Sequence, residues 1–135
     1  MSREGSSIPV KLRNEVAARA RFCCEYCLID ETQTGLYCEV DHIIGVKHNG
    51  LTDSNHLAYA CFNCNRNKGS DMASIDWETN EIVRFNNPRS DIWAEHFRLE
   101  GIRMVPTTQI GKVTTTIFRF NDLKRLSERD PNSFL

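Results

Sequence analysis

The chain has 135 residues, a formal net charge of −1 and a hydrophobic share of 40%. That bounds it to one domain with room for an appendage and excludes a disordered or fibrous protein. No apolar run approaches the ~18–20 residues of a membrane span, and the stretch 1–7 lacks the apolar core of a secretory leader, so a cytoplasmic protein without membrane partners is predicted. A DNA-coating protein would be basic. A near-neutral chain suits nucleic acid only if its charges are segregated, as with Lys11, Arg13, Arg19 and Arg21 early in the chain and Arg66 and Lys68 later.

Residues 1–8 read as a frayed tail. Pro9 suits the first turn of a helix, and Val10, Leu12, Val16, Ala17 and Ala20 recur at helical spacing, which predicts a helix over 9–21. Residues 22–28 form a turn and 30–35 a polar loop. Leu36 to Ile44 is apolar and β-branched and predicts a strand. A loop over 45–54 holds Asn49-Gly50, His56 to Ala60 predicts a second strand, and Cys61 to Lys68 turns into a short helix ended by Gly69. Beyond residue 75 a strand is predicted at 82–85, a helical turn at 91–96, and a hairpin of 97–99 with 102–105 split by Gly101. A helix is predicted at 111–120, against the strand preference of Thr114-Thr115-Thr116. The last residues read as polar and loose.

Six cysteines in a reducing compartment point away from disulfides. Cys24 and Cys27 form one C-x-x-C pair, Cys61 and Cys64 another. Two such knuckles predict a tetrahedral zinc, because each turn offers two thiolates to one ion. A segment of about fifty residues also needs such a staple, since burial alone is insufficient at that size. The plainer alternatives are four buried free thiols or a redox pair. Cys23 is set aside as a ligand, and Cys38 reads as core.

Between the knuckles lies Val40-Asp41-His42-Ile43-Ile44, followed by Asn55 and then by Asn65 in Cys64-Asn65-Arg66-Asn67-Lys68-Gly69. Hydrolysis of a phosphodiester needs a base to activate water, a cation to stabilise the developing charge, and a scaffold that orients the base. His42 can be the base. Asp41 and Asn65 offer oxygen ligands that suit Mg²⁺, and Asn55 can tie down the loop and hold the imidazole. Singly these residues carry little weight, since an Asp-His pair is more often structural and an Asn a turn former. Their nesting in order between and around two knuckles is what carries the signal.

Over residues 15–71 the chain resembles the HNH endonuclease family in its form with two zinc knuckles. Arg21-Phe22-Cys23-Cys24-Glu25-Tyr26-Cys27 is similar to the knuckle leader, Val40 to Ile44 to the catalytic strand, and His48-Asn49-Gly50 to its loop. Asn55 to Cys61 and Cys64 to Gly69 are similar to the second strand and metal helix. The resemblance implies a ββα-metal fold and hydrolysis leaving a 5′ phosphate. It implies His42 as general base, Asp41 as a metal ligand, Asn55 as the orienting residue and Asn65 as the final ligand. Asn65 stands where the family's name has its last His, which favours Mg²⁺ or Mn²⁺ over softer ions. The stretches 84–89 and 93–97 resemble an extension found on some short bacterial HNH proteins.

The predicted fold is therefore α+β: a zinc-stapled ββα-metal core over 9–74, with an N-terminal helix, and a small mixed α/β extension over 75–125 packed on it as one compact domain. The predicted function is metal-dependent endonuclease action on nucleic acid, DNA before RNA. The alternatives are a non-catalytic zinc module that binds nucleic acid and a protein-interaction adaptor. Lys68, Arg66 and His48 are candidates for substrate contact, each weighed against a solvated helix end or an exposed loop. His56, His96, Trp77 and Trp93 read as structural.

Overall fold

The computed structural model describes residues 8–131. The tail expected over 1–8 lies outside the described residues except for Ile8, which is buried. The chain divides into two compact units, Met1–Ser70 and Asp71–Leu135.

In the first unit, Pro9 precedes helix α1 (Val10–Arg19), which buries Val16. The Arg13 guanidinium donates to the Ile8 carbonyl at 2.9 Å, and Arg19 donates to the Ser54 and Leu57 carbonyls at 2.8 and 3.1 Å. Two members of the early basic cluster thus hold backbone, and Arg19 fastens α1 to the segment leading into β2. Arg21 and Phe22 then take left-handed φ values of 56° and 59°, turning the chain into the first cysteine knuckle.

The segment 30–35, expected as a loop, contains one turn of helix, α2 (Glu31–Thr34). Asp30 caps it by accepting the Thr32 N–H, and Gly35 ends it at φ 72°. This turn has a clear structural job. The Glu31 carboxylate accepts the Cys38 N–H at 2.9 Å and the Tyr59 hydroxyl, so it ties both following strands together.

Strands β1 (Cys38–His42) and β2 (Leu57–Cys61) pair antiparallel, with Cys38 opposite Cys61 and His42 opposite Leu57. Helix α3 (Phe62–Lys68) follows β2 directly, and Gly69 ends it. The expected strand, loop, strand and helix are all present. The loop includes single 3₁₀ turns at Val46–His48 and Ser54–His56. Gly50 is required there, because a Cβ would collide with the Ile44 carbonyl.

The second unit opens on a hairpin of β3 (Ala73–Asp76) and β4 (Glu81–Arg84), of which only the second strand was expected. Helix α4 (Trp93–His96) leads into the expected hairpin of β5 (Phe97–Glu100) and β6 (Arg103–Pro106), turning at Gly101 with φ 64°. Helix α5 (Gln109–Phe118) starts two residues before its predicted position, because the Thr108 hydroxyl caps it by accepting the Gly111 N–H. Its threonine run is accommodated in part because Thr114 donates to the Ile110 carbonyl and accepts the Asn86 N–H. Phe85, Phe97, Phe118 and Phe120 form an aromatic core with centroid spacings of 5.3–5.7 Å.

The chain end expected to be loose instead forms helix α6 over Leu123–Arg129. Arg125 is buried there and donates to the Phe118 carbonyl at 2.7 Å. Two guanidinium groups, Arg125 and Arg129, anchor this polar helix through backbone carbonyls.

Asp91 is the electrostatic anchor of this unit. Its carboxylate receives two Arg84 nitrogens at 2.7 and 2.9 Å and the Asn87 N–H at 2.7 Å. The Arg84 bonds, helped by the Asn87 N–H, hold the Asp91 carboxyl down at about 2. An unfolded aspartate titrates near ~3.9, so the stabilisation is full above about pH 4 and is lost as pH falls through about 2. Asp91→Asn is expected to cost about 1 kcal/mol at pH 7, a figure reduced for the solvent access of Arg84. The cost should disappear near pH 2. Thermal melts of both chains at the two pH values check this, and a cost independent of pH would contradict it.

Candidate metal centre and active site

The four knuckle cysteines converge. The sulfurs of Cys24, Cys27, Cys61 and Cys64 all lie within 4.8 Å of one another, and all four residues are buried. The first knuckle forms because Leu28 takes φ 68° and its N–H returns to the Cys24 carbonyl. The second forms at the junction of β2 and α3, where Cys61 is the helix N-cap. In each knuckle the first sulfur accepts the N–H of the second cysteine at 3.4 Å. Such bonds delocalise thiolate charge. Glu25 binds the first knuckle to β2 through paired bonds with Tyr59, at 2.8 and 2.9 Å.

The donor set fits a thiophilic divalent ion. Metal–sulfur bonds of ~2.3 Å in a tetrahedron place sulfurs about 3.8 Å apart, and the Cys27 and Cys61 sulfurs are 3.7 Å apart. None of the six cysteines is in a disulfide. Burial pushes the Cys24 and Cys64 thiols well up, which makes an uncompensated anion costly there. A bound cation reverses that balance. Cys23 is partly exposed outside the cluster, and Cys38 is buried in β1.

Beside this centre, β1 and α3 carry the second set. Alternation along β1 puts Glu39 and Asp41 on one face and Val40 and His42 on the other. His42 ends the strand, is 4% exposed, and its Nε2 lies 2.7 Å from the Thr52 hydroxyl. Asn65, on α3, donates from Nδ2 to the Glu39 carboxylate at 2.8 Å. Burial raises the Asp41 carboxyl above its ordinary range, opposed chiefly by the nearby Lys68 charge, while Glu39 adds to the rise.

Lys68 is itself only 3% exposed, and its Nζ points to the His42 and Gly69 carbonyls at 3.4 and 3.5 Å. Its charge acts on the neighbouring Asp41 carboxyl. Arg66 is exposed, with its guanidinium carbon 5.9 Å from the Phe62 ring centroid. His48 is exposed in its 3₁₀ turn.

Asn55 is exposed in the turn before β2, where its backbone N–H donates to Asp53 at 3.0 Å. The imidazole of His42 is bonded to Thr52 and not to the Asn55 side chain. Sequence reasoning missed Glu39 and Thr52. Glu39 had a usable signal, since carboxylates two apart on a strand share a face. Thr52 had none, because the path of its loop is not written in residue spacing.

Four converging thiols tie the segment before β1 to the junction of β2 and α3, and a histidine and oxygen donors lie on the same ββα unit. Residues 24–71 match the HNH endonuclease family model, that of a module which binds or cleaves nucleic acid. None of the curated proteins and none of the solved structures matches the chain. Among the described residues, no helix is long and apolar enough to cross a membrane.

Proposed function

We propose that this protein is a metal-dependent endonuclease that hydrolyses phosphodiester bonds of nucleic acid, DNA before RNA. The observation that carries the reading is that one HNH match holds both His42, at the end of β1, and the Asn65–Glu39 bond that joins α3 to β1. In this reading Cys24, Cys27, Cys61 and Cys64 hold a structural zinc that closes the fold. Asp41 and Asn65 hold one Mg²⁺ or Mn²⁺, whose chemistry is to stabilise charge on the phosphoryl group and the leaving oxygen.

His42 acts as general base. Its Nε2 is engaged by Thr52, and Nδ1 has no protein hydrogen bond among the described residues. With Nε2–H donating to the Thr52 hydroxyl, Nδ1 presents its lone pair and can take a proton from water. Lys68 offsets the buried charge of Asp41 and braces the His42 carbonyl. Asn55 shapes the turn between Thr52 and β2, and exposed Arg66 and His48 are available to a phosphate backbone. Zinc-bound cysteines without disulfides suit a reducing cytoplasm.

The test uses end-labelled duplex DNA, single-stranded DNA and RNA, each with Mg²⁺, Mn²⁺ or chelator. Cleavage that requires the cation and leaves 5′-phosphate ends is the expected result. Failure to cut any of the three with either cation would contradict it. Salt-sensitive retention of DNA without product would instead select the non-catalytic binding module.

A further inference from the structure

Asn65 differs from a carboxylate as a cation ligand, because an amide has a right and a wrong face. Its oxygen can coordinate, while its NH₂ group can only donate a hydrogen bond. Nothing in the side chain itself selects one orientation. In this chain the selection comes from the neighbouring strand. Asn65 Nδ2 lies 2.8 Å from Glu39 Oε2. A carboxylate accepts and does not donate, so only the nitrogen end of the amide can sit there. The opposite end, Oδ1, is not buried and has no protein hydrogen bond among the described residues.

Glu39 also shares its strand face with Asp41, the other proposed ligand. The bond spans β1 and α3, so it fixes the helix against the strand at the point where the ligands must meet. The geometry points to Glu39 as a positioning residue that locks the Asn65 amide with its oxygen presented to the divalent cation. This inference rests on the metal-dependent reading above. It assigns Glu39 an orienting role and no contact with the reacting atoms.

The test measures Mn²⁺ binding by the zinc-loaded full chain, from the free-Mn²⁺ electron paramagnetic resonance signal, with zinc content and melting recorded alongside. Loss of an orienting partner typically weakens metal affinity 10–100-fold, so Glu39→Ala is expected to weaken Mn²⁺ binding by about tenfold or more. Glu39→Gln keeps an acceptor for Nδ2 and should stay within about threefold of wild type. It also serves as the readout if the alanine variant folds poorly. Adding Asn65→Asp to Glu39→Ala should restore binding, because a carboxylate has no wrong face.

Wild-type affinity in Glu39→Ala would overturn the inference. So would a loss in Glu39→Gln as large as in Glu39→Ala, which would point to charge or direct ligation. Failure of the double variant to recover would overturn it as well. If wild type itself binds no Mn²⁺, the metal-dependent reading falls and this inference with it, an outcome distinct from the other three.

Discussion

Stripping the metal from the cysteine cluster is expected to unfold the first unit while leaving the second folded. Few other interactions can replace the staple. The unit's regular elements are short, and the segments before β1 and after β2 meet at the four sulfurs. Apparent zinc-binding energies in comparable small sites are about 10–16 kcal/mol, as large as the whole stability of a typical domain, about 5–15 kcal/mol. Strong chelator should therefore abolish one cooperative melting transition. The transition of Asp71–Leu135, with its own aromatic core, should remain. Cys64→Ala should act in the same direction. A loss of about 3 kcal/mol or more would lower the melting temperature of a unit this size by more than about 12 °C. Zinc quantitation and circular dichroism melts check both. A chelated chain that melts as two unchanged transitions would show that the cysteines are ordinary core.

His42→Ala should reduce cleavage by about 10²–10⁴-fold, the range supplied by a positioned general base. Zinc content should be unchanged, because His42 is not in the sulfur cluster. Mn²⁺ affinity should change little, because the proposed ligands are Asp41, on the other face of β1, and Asn65, on α3. The loss should therefore fall on turnover and leave substrate binding near wild type. Single-turnover rates with excess enzyme, beside filter binding of the same DNA, separate the two. A variant that binds weakly but cleaves at the wild-type rate would show that His42 positions substrate instead.

The parts of this molecule that were legible in the sequence share a physical cause. C-x-x-C spacing is dictated by the geometry of one turn around one ion, so Cys24, Cys27, Cys61 and Cys64 could be grouped before any fold was known. The β1, β2 and α3 elements carry strong local patterns, and Gly69 stops the helix as expected. What was not legible depends on contacts distant in sequence. The Ala73–Asp76 strand is short and is defined by its partner Glu81–Arg84. The Leu123–Arg129 helix has a polar sequence and is held by guanidinium bonds to carbonyls elsewhere. Lys68 at a helix end reads as a phosphate contact or a solvated charge, yet it is buried with its Nζ toward the His42 carbonyl. Glu39 and Thr52 gained their place only when β1 met α3 and the loop closed over His42.

The most direct measurement is the conversion of supercoiled plasmid by wild type and His42→Ala, each with Mn²⁺ and with chelator. Nicked or linear product from wild type with Mn²⁺, absent with chelator and nearly absent for His42→Ala, is the predicted result. Equal product from both chains, or product that persists in chelator, would contradict a cation-dependent nuclease with His42 as its base.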